Sequence, residues 1–444
     1  MRLAVSILLN VLLAGCLSYW LLGQWQRASP GLRRWLLPAL GWRLLLTAIS
    51  SHWPSPDMMA AANWSRLLAA FFWQYPEQVW TALQSANFQL DGQILALYQW
   101  SNTLFFFKIL ALLNVVSGGA LWLNGLYLSM LCFVACWSLV RVLSQVFPLA
   151  PVGAAGIAFL AWPTVVWWTA GLTKETLVVG AGAGVVALAL PLLYGPRERP
   201  GFWPAVGRTV LLLLLAWVMV RMRYFFSLPL LGGLLALAAV RLSAQRGWLG
   251  PGWRAQVAGL LLVLGLAGGA AVALGGEQLS LSYFSREVAA NYQHGLLTSV
   301  GRPHLEYPGW QPTPAGLLER APLAAAYTLV RPWPGESARA LYLVAGFENA
   351  VLAALLGLAL VAAGQGRAGR LPVVLVVLLG LYCLLLAAFI GLSTPNLGTL
   401  SRYRAALLPW LLLLVLQNDY VRGLLNKNGA VNSPRASRAG SAPP

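Results

Sequence analysis

The stretch Trp162-Pro-Thr-Val-Val-Trp-Trp-Thr-Ala-Gly-Leu-Thr-Lys-Glu175 separates two apolar runs and ends in a cation followed by a carboxylate. Pro163 and Gly171 favour a turn, and the tryptophans between them are typical of a membrane interface. A charged side chain near hydrocarbon costs about 2.5–3.5 kcal/mol, so it usually faces a polar cavity or a partner. The stretch therefore predicts a short external turn between two transmembrane helices that presents Lys174 and Glu175 to a site. In the alternative interpretation, the two residues pair with each other and only anchor the helix end.

The composition of the whole chain is that of a membrane protein. Of its 444 residues, 59% are hydrophobic and 9% are charged, and the mean hydropathy is +0.69, which excludes an ordinary soluble domain. Apolar runs close to the roughly 20 residues that cross a bilayer recur from end to end. The net charge of +18 is divided between the two sides of a membrane, so it indicates topology and predicts no nucleic-acid partner.

These runs predict an all-α polytopic membrane protein with about eleven transmembrane helices. We place the helices at about 3–22, 35–50, 119–141, 152–169, 176–194, 209–220, 225–241, 256–275, 346–363, 371–391 and 404–418. More than half of the 30 basic residues fall on one side, whereas only Glu198 and Asp419 among the acidic residues do. The positive-inside rule therefore predicts that this side is cytoplasmic and that the N-terminus is external. The first helix is expected to be retained and not cleaved as a signal peptide.

Two segments on the external side are too long to be simple connections, and insertions of this length are usually functional. The chain divides into N-terminal transmembrane helices (1–50), a first external segment with interfacial helices (51–118), a transmembrane core (119–275), a second external segment (276–345), C-terminal transmembrane helices (346–424) and a disordered cytoplasmic tail (425–444). Residues 104–116 are apolar but short for a span, and are expected to be re-entrant or interfacial.

The candidate functional residues lie at the predicted external ends of helices. No phosphate loop, dinucleotide fingerprint, zinc motif or nucleophile elbow is present, and the cytoplasmic loops are too small for a nucleotide-binding domain. A bound anion would explain cations on the side where the positive-inside rule does not place them, since guanidinium groups pair bidentately with phosphate. Alternatively, each cation only reaches toward lipid headgroups. The candidates are Asp57, Lys174, Glu175, Arg221, Arg223, Tyr224, Arg402, Tyr403 and Arg404.

Three segments, in this order, resemble the GT-C superfamily of polytopic glycosyltransferases, in particular its protein mannosyltransferase and aminoarabinose transferase members. Ser55-Pro-Asp-Met-Met-Ala-Ala-Ala-Asn-Trp-Ser-Arg-Leu-Leu68 resembles the family's first external loop, with an aspartate and an amphipathic helix. Residues 163–175 resemble the next external turn, with Glu175 where aspartate is commoner. Arg402-Tyr-Arg-Ala-Ala-Leu-Leu-Pro409 resembles the opening of a late helix. The first loop here has one aspartate, not an acidic pair.

The resemblance implies transfer of a sugar from a polyprenyl-phosphate donor to a glycan, lipid or protein acceptor. The reaction would take place on the external face of the bacterial inner membrane, among membrane lipids. Asp57 would act as the general base toward the acceptor hydroxyl, although Ser-Pro-Asp also suits the start of an interfacial helix. Glu175 would orient Lys174 or help to hold a divalent metal, and no other cofactor is implied. The remaining cations and tyrosines would bind the donor and stabilise its leaving phosphate: Lys174, Arg221, Arg223, Tyr224, Arg402, Tyr403 and Arg404.

Two other functions compete with this one. An enzyme similar to O-antigen ligases or polymerases would also join lipid-linked glycans outside the membrane, but would depend on arginine and histidine and not on Asp57. A non-enzymatic transporter or flippase of lipid-linked glycans would instead use charges along a path through the bilayer, and Arg43 is the charged residue nearest the middle of a predicted span.

Overall fold

The computed structural model describes residues 2–90, 92–96, 100–196, 201–277 and 280–427, and within these ranges the chain is almost entirely helical. The helices are α1 (Arg2–Arg27), α2 (Pro30–His52), α3 (Pro56–Gln74), α4 (Val79–Gln84), α5 (Asn102–Ser117), α6 (Leu121–Val146), α7 (Val152–Gly156), α8 (Pro163–Thr169), α9 (Lys174–Tyr194), α10 (Phe202–Gln245), α11 (Trp253–Leu274), α12 (Leu281–Leu297), α13 (Pro314–Val330), α14 (Ala340–Gly364), α15 (Val373–Ser393), α16 (Leu397–Arg404), α17 (Leu408–Leu416) and α18 (Asp419–Lys427). A 3₁₀ turn at Pro76–Gln78 precedes α4, and a π-helical turn at Ile157–Ala161 follows α7.

Seven of the described helices are long and apolar enough to cross a membrane, namely α1, α6, α9, α10, α11, α14 and α15. Two bent pairs raise the number to nine if each pair is one span: residues 152–161 with α8, bent by 45°, and α16 with α17, bent by 63°. The protein is therefore a polytopic integral membrane protein with an essentially helical fold. Eleven spans are not confirmed, because α2 is not among these helices and because α10, which contains two predicted spans, is counted once.

Helix α10 contains both predicted spans at 209–220 and 225–241. Its 44 residues would extend about 66 Å as one straight helix, roughly twice the thickness of the hydrocarbon core. The backbone of Arg223 is extended, with φ −155° and ψ 81°, and breaks the helix there. Ser227 Oγ lies 2.7 Å from the carbonyl of Met219 and 2.8 Å from that of Arg223, so a side-chain hydroxyl satisfies backbone groups that the break leaves unpaired.

Helix α9 is packed at the centre of the fold, against α6 on one side and α10 on the other. Its run Gly180-Ala-Gly-Ala-Gly184 allows the close approach that is typical of membrane helices. A Cβ at Gly180 would lie 3.1 Å from Cα of Cys132, and one at Gly184 would lie 2.7 Å from a methyl group of Leu215. Packing against α6 and α10 therefore fixes the position of α9, including its first residues.

The predicted first external segment contains helices α3, α4 and α5 and a two-stranded antiparallel hairpin of β1 (Asn87–Leu90) and β2 (Gln93–Ala96). Outside this short hairpin the described chain is helical, in agreement with the predicted all-α fold class. Helix α5, which includes the predicted re-entrant or interfacial residues 104–116, has 16 residues and is shorter than a span. It packs against α3, α6 and α10, and it thereby connects the external segment to the transmembrane core.

The predicted second external segment is attached to the stretch between α15 and α16. Leu305 N donates to Pro395 O at 2.9 Å, and Leu397 N donates to Pro303 O at 3.3 Å. Helix α13 of this segment packs along α15, where Thr328 Oγ1 donates to the carbonyl of Ala387 at 2.8 Å. These bonds fix the segment beside α16. Of the predicted cytoplasmic residues, Arg197, Glu198 and Arg199 lie outside the described part of the chain, as do residues 428–444 of the predicted tail, whereas 425–427 belong to α18.

Candidate active site

The short helix α8 is held at both ends by charged side chains of other helices. At its start, the backbone N–H and the hydroxyl of Thr164 donate to the Glu348 carboxylate of α14, at 3.2 and 2.8 Å. At its end, Arg43 of α2 donates from Nη1 to Thr169 O at 2.9 Å and from Nη2 to Thr169 Oγ1 at 3.0 Å. A carboxylate at the N-terminus and a guanidinium at the C-terminus complement the helix dipole. Fully buried Arg43 therefore positions α8 and does not line a path through the bilayer.

The turn from α8 to α9 requires glycine at one position. Gly171 has φ +97°, in the left-handed region, and a Cβ there would lie 2.6 Å from Ser50 Oγ. Thr173 then caps α9, its hydroxyl accepting a hydrogen bond from the backbone of the first turn. Lys174 and Glu175 are the first two residues of this helix, so the predicted turn presents them from a fixed helix end.

A cavity of about 270 Å³, here called the central cavity, opens at the start of α9. Helices α3, α9, α10 and α16 each contribute charged side chains to it. Six of the nine residues predicted from the sequence line this cavity: Asp57, Lys174, Glu175, Arg223, Arg402 and Tyr403. The structure therefore brings together side chains from four segments that are far apart in the sequence.

An alternating chain of charges runs through the central cavity. Glu175 Oε1 lies 2.6 Å from Arg223 Nη2 and 3.8 Å from Arg402 Nε, and Arg402 Nη1 lies 2.6 Å from Asp57 Oδ2. The Glu175 side chain is 3% exposed, whereas that of Asp57 is 74% exposed. Glu175 is therefore a buried counter-ion for two guanidinium groups, and Asp57 is the carboxylate that solvent can reach.

Lys174 and Glu175 do not form a hydrogen bond with each other, and their partners differ. Lys174 Nζ donates to Asn102 Oδ1 and to Thr103 Oγ1, both at 2.7 Å, in the first turn of α5. An ammonium group has three donors, so these two bonds hold the cation at the cavity wall. The structure thus corrects the expectation that Glu175 orients Lys174, because Glu175 pairs with arginine and two polar side chains of α5 orient the lysine.

Tyr403 holds the two guanidinium groups of the cavity beside each other. The Arg223 guanidinium lies 3.9 Å from the centre of the Tyr403 ring, and that of Arg402 lies 5.3 Å from it. Cations over an aromatic face are attracted by its quadrupole. The break in α10 matters here, since it is Arg223 itself that has the non-helical backbone and joins the cavity.

Three predicted substrate-binding residues are not among the residues that line the central cavity. The Arg221 guanidinium lies over the rings of Trp100 and Phe105, 4.5 and 5.1 Å from their centres. Burial lowers the pKa of Lys108, and the positive charge of Arg221 lowers it further. The ring of half-exposed Tyr224 lies against that of the following phenylalanine. The structure gives no positional support for a role of either residue in substrate binding.

Arg404 is the third residue outside the cavity, and it is fully buried. Its Nη1 lies 3.3 Å from the carbonyl of Thr328 and 3.4 Å from that of Arg331, at the end of α13. Residues two positions apart on a helix point to opposite sides, so Arg404 joins α16 to α13 while Arg402 faces the cavity. Its position corrects the prediction that it binds substrate alongside Arg402.

A second, more open cavity of about 210 Å³ adjoins the first. We call it the arginine cavity, because Arg302, Arg339 and Arg402 line it. Arg402 and Trp168 line both cavities. Sequence reasoning did not identify Arg302 or Arg339, since neither lies at the end of a predicted span. Glu348 was also not identified from the sequence, although a single acidic residue within an apolar span is a recognisable signal.

The described residues include no group of three or more His, Cys, Asp or Glu side chains arranged to hold a metal ion. The two carboxylates of the central cavity each face a guanidinium group. The divalent metal suggested for Glu175 is therefore not supported by the residues around it, and it stays a prediction from the sequence.

The fold and the cavity together define a polytopic helical membrane protein, with a charged site formed by helices that are far apart in the sequence. No family model, curated protein or solved structure matches the chain.

Proposed function

We propose that the protein is a glycosyltransferase that moves a sugar from a polyprenyl-phosphate donor to an acceptor hydroxyl on the external face of the bacterial inner membrane. The observation that carries the proposal is the meeting of Asp57, Glu175 and Arg402 in one cavity. Asp57 and Arg402 are separated by 345 positions in the sequence. Scattered headgroup anchors would not be expected to converge in this way. An accessible carboxylate beside several cations suits a reaction in which a proton is removed and an anion leaves.

Asp57 is the proposed general base. Its carboxylate is 74% exposed and lies 2.6 Å from Arg402, where it can accept the proton of an acceptor hydroxyl. The acceptor oxygen then forms a bond to the anomeric carbon, and the bond from that carbon to the phosphate oxygen breaks. The electron pair of the broken bond leaves with the polyprenyl phosphate, so no acid is needed on the leaving group.

Arg402 stabilises the charge that develops on this phosphate. Arg402 lies next to the proposed base, whereas Arg223 and Lys174 line the central cavity, where they face the sugar and the acceptor. Removal of one donor to a developing anion typically costs about 2.7–4 kcal/mol, or 10²–10³ in rate. Glu175 keeps the two guanidinium groups in place without contacting substrate, as its burial indicates.

The alternatives are less well supported by the site. Among the described residues that line the two cavities there is no histidine, which an enzyme similar to O-antigen ligases would be expected to use. His304 instead contacts Glu306 at 2.9 Å. For a transporter, the mid-membrane cation Arg43 would have to face a path, but it is buried and bound to Thr169.

The test is turnover of polyprenyl-phosphate sugars by purified protein in liposomes, with extracted envelope glycans and lipids as acceptors. Release of polyprenyl phosphate is measured for the wild type, Asp57→Asn and the control Glu77→Gln, an exposed carboxylate in the same external segment. We expect Asp57→Asn to lower turnover by about 10²–10⁴-fold and the control to keep it. Full turnover by Asp57→Asn, or none by the wild type across the panel of donors, would contradict the proposal.

A further inference from the structure

The two cavities differ in the balance of charge on their walls. The central cavity is lined by three cations and by the carboxylates of Asp57 and Glu175. The described residues that line the arginine cavity include three guanidinium groups and no carboxylate. A phosphate in the central cavity would be close to two negative side chains, whereas the arginine cavity offers it only positive ones. Coulomb attraction and repulsion therefore favour the arginine cavity for an anion.

Arg302 and Arg339 have no acidic partner among the described residues. The nearest acidic side chains in the sequence are paired elsewhere: Glu306 contacts His304, and Glu336 contacts Arg331 at 2.9 Å. Both arginines are exposed to solvent, so a ligand can reach them. Arg402 has its counter-ions on the side of the central cavity. Arg302 and Arg339 lie beside it without a carboxylate of their own, and a phosphate would supply the missing negative charge.

The backbone that carries these arginines is fixed to the site. Arg302 directly precedes Pro303, whose carbonyl accepts the hydrogen bond of Leu397 N at the start of α16. Arg339 is the residue before α14, and its carbonyl accepts a hydrogen bond from the backbone N–H of Tyr342. The arginine cavity is thus formed by defined parts of the second external segment and of α16.

Building on the proposed function, we infer that the arginine cavity binds the phosphate group of the polyprenyl donor. The phosphate lies between Arg302, Arg339 and the side of Arg402 that faces this cavity. The sugar then extends past Arg402 into the central cavity, where its anomeric carbon faces the acceptor held near Asp57. The site is divided so that the leaving anion and the carboxylate base are on different sides of one shared guanidinium.

The inference is tested by binding, which needs no turnover. Full-length protein in phosphatidylcholine nanodiscs is titrated with polyprenyl monophosphate, which lacks the sugar. Arg302→Gln and Arg339→Gln are expected to weaken binding by about tenfold each, as loss of a hydrogen bond between charged groups does. The matched control is Arg286→Gln, an exposed arginine of α12 in the same external segment, which is expected to bind as the wild type does.

Competing ligands identify the source of the phosphate. Polyprenol, which lacks the phosphate, is expected not to compete, and neither inorganic phosphate nor excess phosphatidylglycerol is expected to displace the polyprenyl monophosphate. Equal displacement by phosphatidylglycerol would overturn the assignment to the donor, because the cavity would then bind bulk anionic lipid. Equal displacement by inorganic phosphate would overturn it as well, as an anion site without specificity for the lipid.

The failure of this inference is distinguishable from failure of the proposed function. Unchanged binding in both arginine variants, with turnover lost in Asp57→Asn, would overturn the phosphate site and leave the function standing. Weakened binding in both variants, with full turnover in Asp57→Asn, would support the phosphate site and contradict the proposed base. Unfolding curves of the variants that match the wild type exclude a folding defect as the cause of weaker binding.

Discussion

The variant Glu175→Gln tests whether Glu175 stabilises the fold, whereas Asp57 takes part in the reaction. It keeps the size of a side chain that is 3% exposed, but removes the negative charge 2.6 Å from Arg223 and 3.8 Å from Arg402. Removing one member of a buried ion pair costs about 3–5 kcal/mol, because the other charge is left buried without compensation. The pair of Asp57 with Arg402 involves a carboxylate that is 74% exposed, and loss of an exposed pair costs about 0–1 kcal/mol.

We therefore expect Glu175→Gln and Asp57→Asn to differ in melting temperature and in turnover. Glu175→Gln should lower the apparent melting temperature of the protein in detergent, by roughly 5 °C, whereas Asp57→Asn should leave it near the wild-type value and lose turnover. The double variant Glu175→Gln/Arg223→Gln should recover part of the stability, because both buried charges are then absent. A melting temperature of Glu175→Gln equal to that of the wild type would refute the view that Glu175 is the buried counter-ion of the site.

Three further predictions concern the elements that position the cavity. Gly171→Ala places a Cβ 2.6 Å from Ser50 Oγ at a residue with φ +97°. We expect backbone strain alone to lower the free energy of unfolding by about 1–2 kcal/mol, and the melting temperature with it. A melting temperature equal to that of the wild type would contradict this prediction. Glu348→Gln weakens the hydrogen bonds from Thr164 at the start of α8, so we expect faster amide hydrogen exchange in α8 but not in α11. An exchange rate of α8 equal to that of the wild type would contradict the role of this carboxylate. Lys174→Met removes a charged hydrogen-bond donor from the wall of the central cavity and should lower turnover by about tenfold. Lys108→Met, whose ammonium donates to backbone carbonyls outside the cavity, should retain turnover. Equal loss in both variants would exclude a specific role of Lys174.

Local patterns in the sequence were sufficient to predict most of the helices and part of the candidate site. Apolar runs predicted the long membrane helices, because crossing hydrocarbon demands length and hydropathy. Asp57, Lys174, Glu175 and Arg402 were identifiable because each interrupts or ends such a run, where a charge is costly. The confirmed part of the fold is the polytopic helical membrane protein, while the number of spans and the orientation stay predictions.

Side-chain direction could not be predicted in the same way. Arg402 and Arg404 are two residues apart on α16 and therefore face opposite sides, so one lies in the cavity and the other is buried against α13. Near the break in α10, Arg223 joins the cavity while Arg221 lies over aromatic rings. The sequence shows that a charge is present near a helix end, but the helix start and the local backbone angles decide where it points.

Partners that are distant in the sequence were also beyond local reasoning. Asn102 and Thr103 hold Lys174 only because α5 packs near the start of α9, and no motif connects these residues. The same is true of Arg302 and Arg339, which reach the site through the attachment of the second external segment to the start of α16. Such contacts depend on how helices pack, which a pattern of apolar residues does not determine.

A density map of Asp57→Asn in nanodiscs with a polyprenyl-phosphate sugar tests most directly whether the gathered charges form a donor site. The variant keeps Arg402 and removes the proposed base, so the donor should accumulate unreacted. We predict phosphate density within hydrogen-bond distance of Arg402, with the sugar on the side of residue 57. Donor density on another face of the protein, with both cavities empty, would contradict the account.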